Sequence, residues 1–301
     1  MKIGFIKLGL KTYFKKNGSG QGSNHELVDI FNIFKNKGHE CFMISGSDKY
    51  ECYVDIKNLD YIFVFNGFLP TTLDAKINMM KQPTDMYKIL NGYDVPYIYF
   101  WTDVRYDIKN IKVVRQPNII LSQEQENYGH LDKLILYKKK KKLLDKKTNK
   151  FGIVMNDTEP KRSKEVLKTL GWLGYGEIKG KWKNKNKWLT GELKEEEVND
   201  YLASTKYSYN LATNHEWVSQ KFWEMLLNNV ICFYKNYDKN NLIIPKNDYR
   251  LVRDEIDVEE KIEELDKNVN LYLDFIKKQQ NDLKEEYFNG NFIYNLIIKK
   301  L

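Results

Sequence analysis

The chain has 301 residues, 42% of them hydrophobic and 30% charged, with a formal net charge of +8. This balance fits a globular protein rather than a disordered or membrane-spanning one, because no apolar run approaches the roughly 20 residues that cross a bilayer. The surplus of Lys and Arg favours a polyanionic partner, since clustered cations gain affinity by releasing counterions from phosphate. The abundance of Asn, Lys, Ile and Tyr assigns part of that surplus to composition alone.

Short apolar runs alternate with amphipathic stretches, which predicts βαβ units around a mostly parallel sheet. The opening Met1-Lys-Ile-Gly-Phe-Ile6 reads as part of a first strand over 2–8 rather than a leader peptide, so a cytoplasmic protein is expected. A helix over 24–37 follows, then strands over 41–45 and 61–65, a helix over 72–90, and strands over 97–101, 118–121 and 133–137. The charged segment 138–150 interrupts the pattern and reads as a connection between domains. A second series then runs as strand 151–155, helix 162–170, strand 176–178, helix 195–203, strand 207–211, helix 218–227 and strand 230–233. A helix starting near residue 258 and helices over 270–288 and 292–300 complete the chain. The expected fold is α/β, with two Rossmann-like domains facing a central cleft. The domains are placed at 1–145 and 146–270, with helices over 271–301 packing back toward the first.

Cys41, Cys52 and Cys232 have no paired spacing, and His25, His39, His130 and His215 have no ligand spacing. No protein-held metal site is expected, and any ion would arrive with a substrate.

Candidate chemistry gathers where strands end. Ligands in open α/β sheets bind outside the carboxyl ends of the strands. The aromatic strand over 97–101 runs into Thr102-Asp-Val-Arg105, so Asp103 is a candidate general base; capping a turn or pairing with Arg105 is the alternative. The loop Asn17-Gly-Ser-Gly-Gln-Gly-Ser23 does not match G-x-G-x-x-G and reads as a flexible loop. It leads to Glu26 in the first turn of a helix, facing the same crevice or complementing the helix dipole. In the second half, Asn156-Asp-Thr-Glu-Pro160 leads into a helix with Arg162 one turn in, an arrangement suited to a diphosphate. Lys221 and Glu224 share a helix face, either as an ordinary ion pair or as a phosphate contact beside a ribose contact. Thr190-Gly-Glu-Leu193 precedes a helix, and Gly191 allows close approach to a base edge. The stretch from Lys179 to Trp188 alternates Lys with Trp and Asn, which suits phosphate contact beside stacking, or else is a solvated loop.

The order Thr102-Asp-Val-Arg105, Thr190-Gly-Glu-Leu193 and Lys221-Phe-Trp-Glu224 before an apolar strand resembles the bacteriophage DNA beta-glucosyltransferase family. The first strand and the Ser23-Asn-His-Glu26 helix start fit as well. The resemblance implies a GT-B fold and transfer of glucose from UDP-glucose to hydroxymethylcytosine in duplex DNA, the target base being flipped out of the stack. It implies Asp103 as general base with Glu26 near the sugar, Asn156, Thr158, Arg162 and Lys221 at the diphosphate, Glu224 at the ribose and Leu193 at the uracil. Arg105 and Lys138, Lys139 and Lys140 would meet DNA phosphates, and a Mg or Mn ion could accompany UDP. Thr158 stands where the family has an arginine and Asn156 where it has a serine. Lys221 also replaces an arginine, keeping the charge without the bidentate fork. A monomer with no membrane association is expected. A lipid, glycan or protein acceptor is a second reading, and a non-catalytic nucleotide-sugar or DNA-binding module a third.

Overall fold

The computed structural model describes residues 1–7, 22–45, 55–65, 89–101, 115, 117–122, 129–130, 143–144, 146–157, 160–210, 220–235, 247–281 and 283–301. Two compact units emerge, one of residues Met1–Lys138 with Glu286–Leu301 and one of Lys139–Glu285.

The first unit is built on β1 (Lys2–Lys7), α1 (Gly22–Asn36), β2 (Glu40–Ser45), β3 (Tyr61–Phe65), β4 (Tyr97–Trp101), β5 (Ile119–Ser122) and β6 (Gly129–His130). The six strands form one parallel sheet in the order β2-β1-β3-β4-β5-β6. Central strands of such a sheet are buried on both faces, which is why β3 and β4 are apolar throughout instead of alternating. Ile3, Phe5, Phe63, Phe65, Ile98 and Phe100 face α1. Ile6, Ile44, Ile62, Val64, Tyr97 and Tyr99 form a second core on the opposite face.

Helix α1 presents Leu27, Ile30, Ile33 and Phe34 to its core, at the three-to-four-residue spacing of one helical stripe. The last helix of the chain, α8 (Asn291–Ile298), adds Ile293 and Ile297 to that same core. It is tied to the end of α1 by a hydrogen bond from Lys37 Nζ to Asn291 Oδ1 at 2.7 Å and by a His39 Nε2–Tyr294 hydroxyl contact at 3.0 Å. Of the stretch 271–301 expected to return onto the first domain, only Glu286–Leu301 does; Leu271, Tyr272, Phe275 and Ile276 pack against the core of the second unit.

The second unit contains β7 (Asn149–Val154), α2 (Pro160–Leu173), β8 (Glu177–Lys179), β9 (Leu189–Gly191), α3 (Glu195–Ser204), β10 (Thr205–Asn210), α4 (Gln220–Leu227), β11 (Ile231–Tyr234), α5 (Glu255–Lys267) and α6 (Val269–Asn281). Between it and α8 lies the short α7 (Glu285–Phe288). The second sheet is also parallel, ordered β11-β10-β7-β8-β9. Its core joins Phe151, Ile153, Tyr207, Tyr209, Ile231 and Phe233 to Val166 and Leu170 of α2 and to Val258, Ile262 and Leu265 of α5. On the opposite face, Gly152 leaves room for the Tyr201 side chain of α3.

Lys147 donates to Ala203 O at 2.7 Å and Asn228 O at 2.6 Å, tying the ends of α3 and α4 together, and burial pulls its ammonium down to about 8. Among the described residues no helix is long and apolar enough to cross a membrane.

The strand expectations at 97–101, 151–155 and 207–211 match β4, β7 and β10 to within two residues. The helix over 72–88 and the strand over 133–137 lie outside the described residues. Two differences are informative. The single helix expected over 270–288 is two, α6 and α7, with the buried Leu283 between them. Helix α5 starts at Glu255, earlier than expected, because the Asp254 side chain accepts from Asp257 N at 3.0 Å and caps it.

Candidate functional site

The order of each sheet fixes where a ligand can enter. In the second unit the chain leaves β7, runs outward through β8 to β9, and returns on the other side of β7 as β10. That reversal opens a crevice between the carboxyl ends of β7 and β10, the topological switch point at which α/β sheets bind ligands.

The exit of β7 is a latched turn. Met155 N donates to Lys179 O at 3.0 Å, Asp157 N to Lys181 O at 2.8 Å, and Lys181 N to Asn156 Oδ1 at 2.9 Å. The Asn156 side chain therefore shapes the turn beside the switch point. Ser163, buried in the first turn of α2, donates its hydroxyl to Asp157 Oδ1, which fixes the loop against the helix start. Pro160 begins α2, where a missing N–H costs nothing, and Arg162 follows in the same turn, half-buried. The backbone N–H groups there carry the positive end of the helix dipole.

Gly180 makes this latch possible. Its φ of 154° is one that side chains resist, and a Cβ there would run into the Met155 carbonyl. The same carbonyl accepts from Trp182 Nε1 at 2.8 Å. Trp182 and Trp188 both pack partly buried against the core of the unit, so they anchor their loop and are not free platforms for a base. The stacking role that the Lys and Trp alternation suggests is corrected here: the rings had apolar core to cover and a carbonyl to satisfy.

Thr190-Gly-Glu-Leu193 begins inside a strand, since Leu189–Gly191 forms β9. Gly191 has a φ of 124° and open space where a Cβ would stand, and Leu193 is half-buried just beyond it. Close approach of a planar ligand is therefore sterically allowed at that edge.

At the exit of β10, Asn210 is buried and donates to the Tyr234 hydroxyl at 3.1 Å. Helix α4 begins at Gln220 and carries Lys221 and Glu224 three residues apart, hence on one face. Its inner face buries Phe222 and Trp223. Arg250 lies beneath, its guanidinium 5.1 Å from the Phe222 ring and 5.7 Å from the Phe275 ring of α6, with two 2.8 Å hydrogen bonds to Asp248. Burial alone would lower the Arg250 pKa, but Asp248 outweighs it and keeps the cation charged. A buried charge held this way fixes the seat of α4.

In the first unit the strand order reverses at β1 and β3. Glu26 lies on α1, the helix that follows β1, and Asp103 comes two residues after the end of β4, the neighbour of β3. Among the described residues, Glu26, Asn156, Arg162, Leu193, Lys221 and Glu224 lie on helices or connections that adjoin the parallel strands. Asp103, Arg105, Lys138, Lys139, Lys140 and Thr158 themselves lie outside the described residues, as does the glycine-rich loop at 17–21. Among the described residues no group of three His, Cys, Asp or Glu could hold a metal ion.

No family model and no curated protein matches the chain. Solved structures do. The chain is similar to the DNA-modifying enzyme beta-glucosyltransferase, solved with and without its substrate uridine diphosphoglucose, at a TM-score of 0.69 and 16% identity over 98% of this chain and 99% of that one. The fold is that of the GT-B glycosyltransferases. The same fold relates the chain to Anabaena HepE in complex with UDP, at a TM-score of 0.62 and 9% identity over 99% of both chains. An alpha1,3-fucosyltransferase follows at 0.55 and 12% identity, over 91% of this chain and 81% of that one.

Three features of the second unit escaped the reading of the sequence: the Gly180–Trp182 latch, the Asn210–Tyr234 pair and the Arg250 seat. Only Gly180 left a signal, as a glycine directly after a short strand.

Proposed function

We propose that the protein is an inverting glycosyltransferase that moves a sugar, glucose in the first instance, from a UDP-sugar to the hydroxymethyl group of a modified base in duplex DNA. The observation that carries this reading is structural similarity to the DNA-modifying beta-glucosyltransferase along practically the whole chain. The placement of Arg162, Lys221 and Glu224 around the switch point of the second unit supports it.

In this reading the second unit holds the donor. Arg162, Lys221 and the start of α2, with Asn156 and Thr158 in the preceding loop, face the diphosphate; Glu224 takes the ribose hydroxyls and Leu193 lies by the uracil. The first unit receives the acceptor, with Arg105, Lys138, Lys139 and Lys140 on DNA phosphates and Glu26 near the sugar. The acceptor hydroxyl oxygen attacks the anomeric carbon as Asp103 takes its proton. The new glycosidic bond forms while the bond to the diphosphate oxygen breaks with inversion, and UDP leaves with the bonding pair. Its growing charge is stabilised by Arg162, Lys221 and the helix start, the kind of preorganised electrostatics that usually contributes most to such a step. A divalent ion, where one takes part, would be carried by the diphosphate. The protein would act as a monomer in the cytoplasm.

Asp103→Asn tests the assignment of the base. Turnover should fall by about 10²–10⁴-fold, the usual contribution of a positioned base, with UDP affinity retained. Normal turnover in that variant would remove Asp103 from the mechanism. The fold is shared with an alpha1,3-fucosyltransferase, which keeps one second reading: a GT-B glycosyltransferase with a lipid, glycan or protein acceptor.

A further inference from the structure

The lysines of the β8–β9 connection take no part in the chemistry above. We propose that this connection is a second grip on the phosphate backbone of duplex DNA, carried by the donor unit itself. The inference rests on the DNA half of the proposed function and adds a contact surface to it.

Lysines stand at 179, 181, 183, 185 and 187, with no acidic residue between Glu177 and Glu192. Lys181, Lys183, Lys185 and Lys187 are all exposed. Lys181 reaches Glu192 at 3.7 Å, but both side chains are more than half exposed, so solvent screens the pair. Lys187 lies 4.4 Å from the centre of the Trp188 ring. Like charges this dense repel one another, and a bound polyanion removes that cost.

The backbone that carries them is already fixed. Lys181 N is held by Asn156, the Trp182 indole by Met155, and Trp188 N by Asn186 Oδ1 at 3.0 Å. Ordering this loop on binding therefore costs less entropy than ordering a loose lysine tail. Both tryptophans pack against the core of the unit, which leaves lysine and asparagine as the outward chemistry of the loop. An anionic membrane also attracts lysines, but firm attachment takes apolar groups inserted beside the cations, and both tryptophans here pack against the core. One diphosphate is already met by Arg162, Lys221 and the α2 start. A duplex, with one charge per roughly 1.7 Å of axis, matches a row of further cations.

The test measures binding of a fluorescent duplex to the full chain and to the triple variant K183Q/K185Q/K187Q across a range of salt. Each phosphate contact contributes about 0.9 to the slope of log affinity against log salt. The triple variant should lose about 2 to 3 from that slope and bind more weakly at low salt, with an unchanged melting temperature. An unchanged slope and affinity would overturn the proposal. Capture of the unmodified chain by phosphatidylserine vesicles, with no binding to duplex, would also overturn it and assign the loop to a lipid surface. A UDP titration of the unmodified chain separates the two readings. UDP binding with an unchanged slope in the variant removes the lysine grip and leaves the donor assignment. A reduced slope without UDP binding removes the donor assignment and leaves the grip.

Discussion

At the scale of single residues, the exit of β7 in the second unit depends on Gly180. Its backbone conformation and the Met155 carbonyl against it exclude a Cβ, so the β7 exit can close on the β8–β9 loop only through glycine. Gly180→Ala should destabilise the protein by roughly 2 kcal/mol and weaken UDP binding, as thermal unfolding and titration would report. Wild-type values for both would mean that the latch does not set the site. In the sequence this glycine is marked only by its place directly after a short strand, and its role depends on a carbonyl 25 positions earlier. The helices that carry Arg162, Lys221 and Glu224 were legible because helix spacing is a local property. Asn210, Tyr234 and Arg250 were not, because their partners are brought in by the sheet and by α6.

At the scale of elements, β3 and β4 are readable as runs of bulky apolar and aromatic residues that can only be interior strands. β9 has three residues in a lysine-rich stretch and no period to read; pairing with β8 makes it a strand.

Polar tethers between elements are equally invisible in sequence. Asp266 of α5 accepts from Lys206 Nζ at 2.6 Å and the Tyr207 hydroxyl at 2.8 Å, and pairs with Lys150 at 3.0 Å, linking α5 to β7 and β10. Burial alone would raise this carboxyl, but the hydrogen bonds from Lys206, Lys150 and Tyr207 outweigh it and hold it below the usual carboxylate range. A carboxyl depressed in the folded state contributes stability above its unfolded pKa of about 3.9, and that contribution is lost as pH falls through the folded value. Asp266→Asn should therefore cost on the order of 1–2 kcal/mol at neutral pH, after allowance for its partial exposure. The gap from wild type should narrow below about pH 4. A pH-independent gap in melting temperature would assign the loss to packing instead.

At the scale of the whole molecule, two parallel sheets with different strand orders give each unit a topological switch point, the place where sheets of this kind bind ligands. In the second unit, Arg162 lies in the first turn of α2, the helix after β7, and Glu224 lies on α4, the helix between β10 and β11. The proposed function gives the acceptor to the first unit and the donor to the second. The chain rhythm of strands and helices announced both sheets, while the acceptor is a matter of chemistry that neither the rhythm nor the fold specifies.

The most direct test of the central claim is UDP release from UDP-glucose with hydroxymethylcytosine duplex DNA, hydroxymethyluracil duplex DNA or unmodified duplex DNA, with Asp103→Ala alongside. The account predicts release that depends on a hydroxymethylated base and is lost in Asp103→Ala. UDP release that is indifferent to the DNA, or undiminished without Asp103, would contradict it.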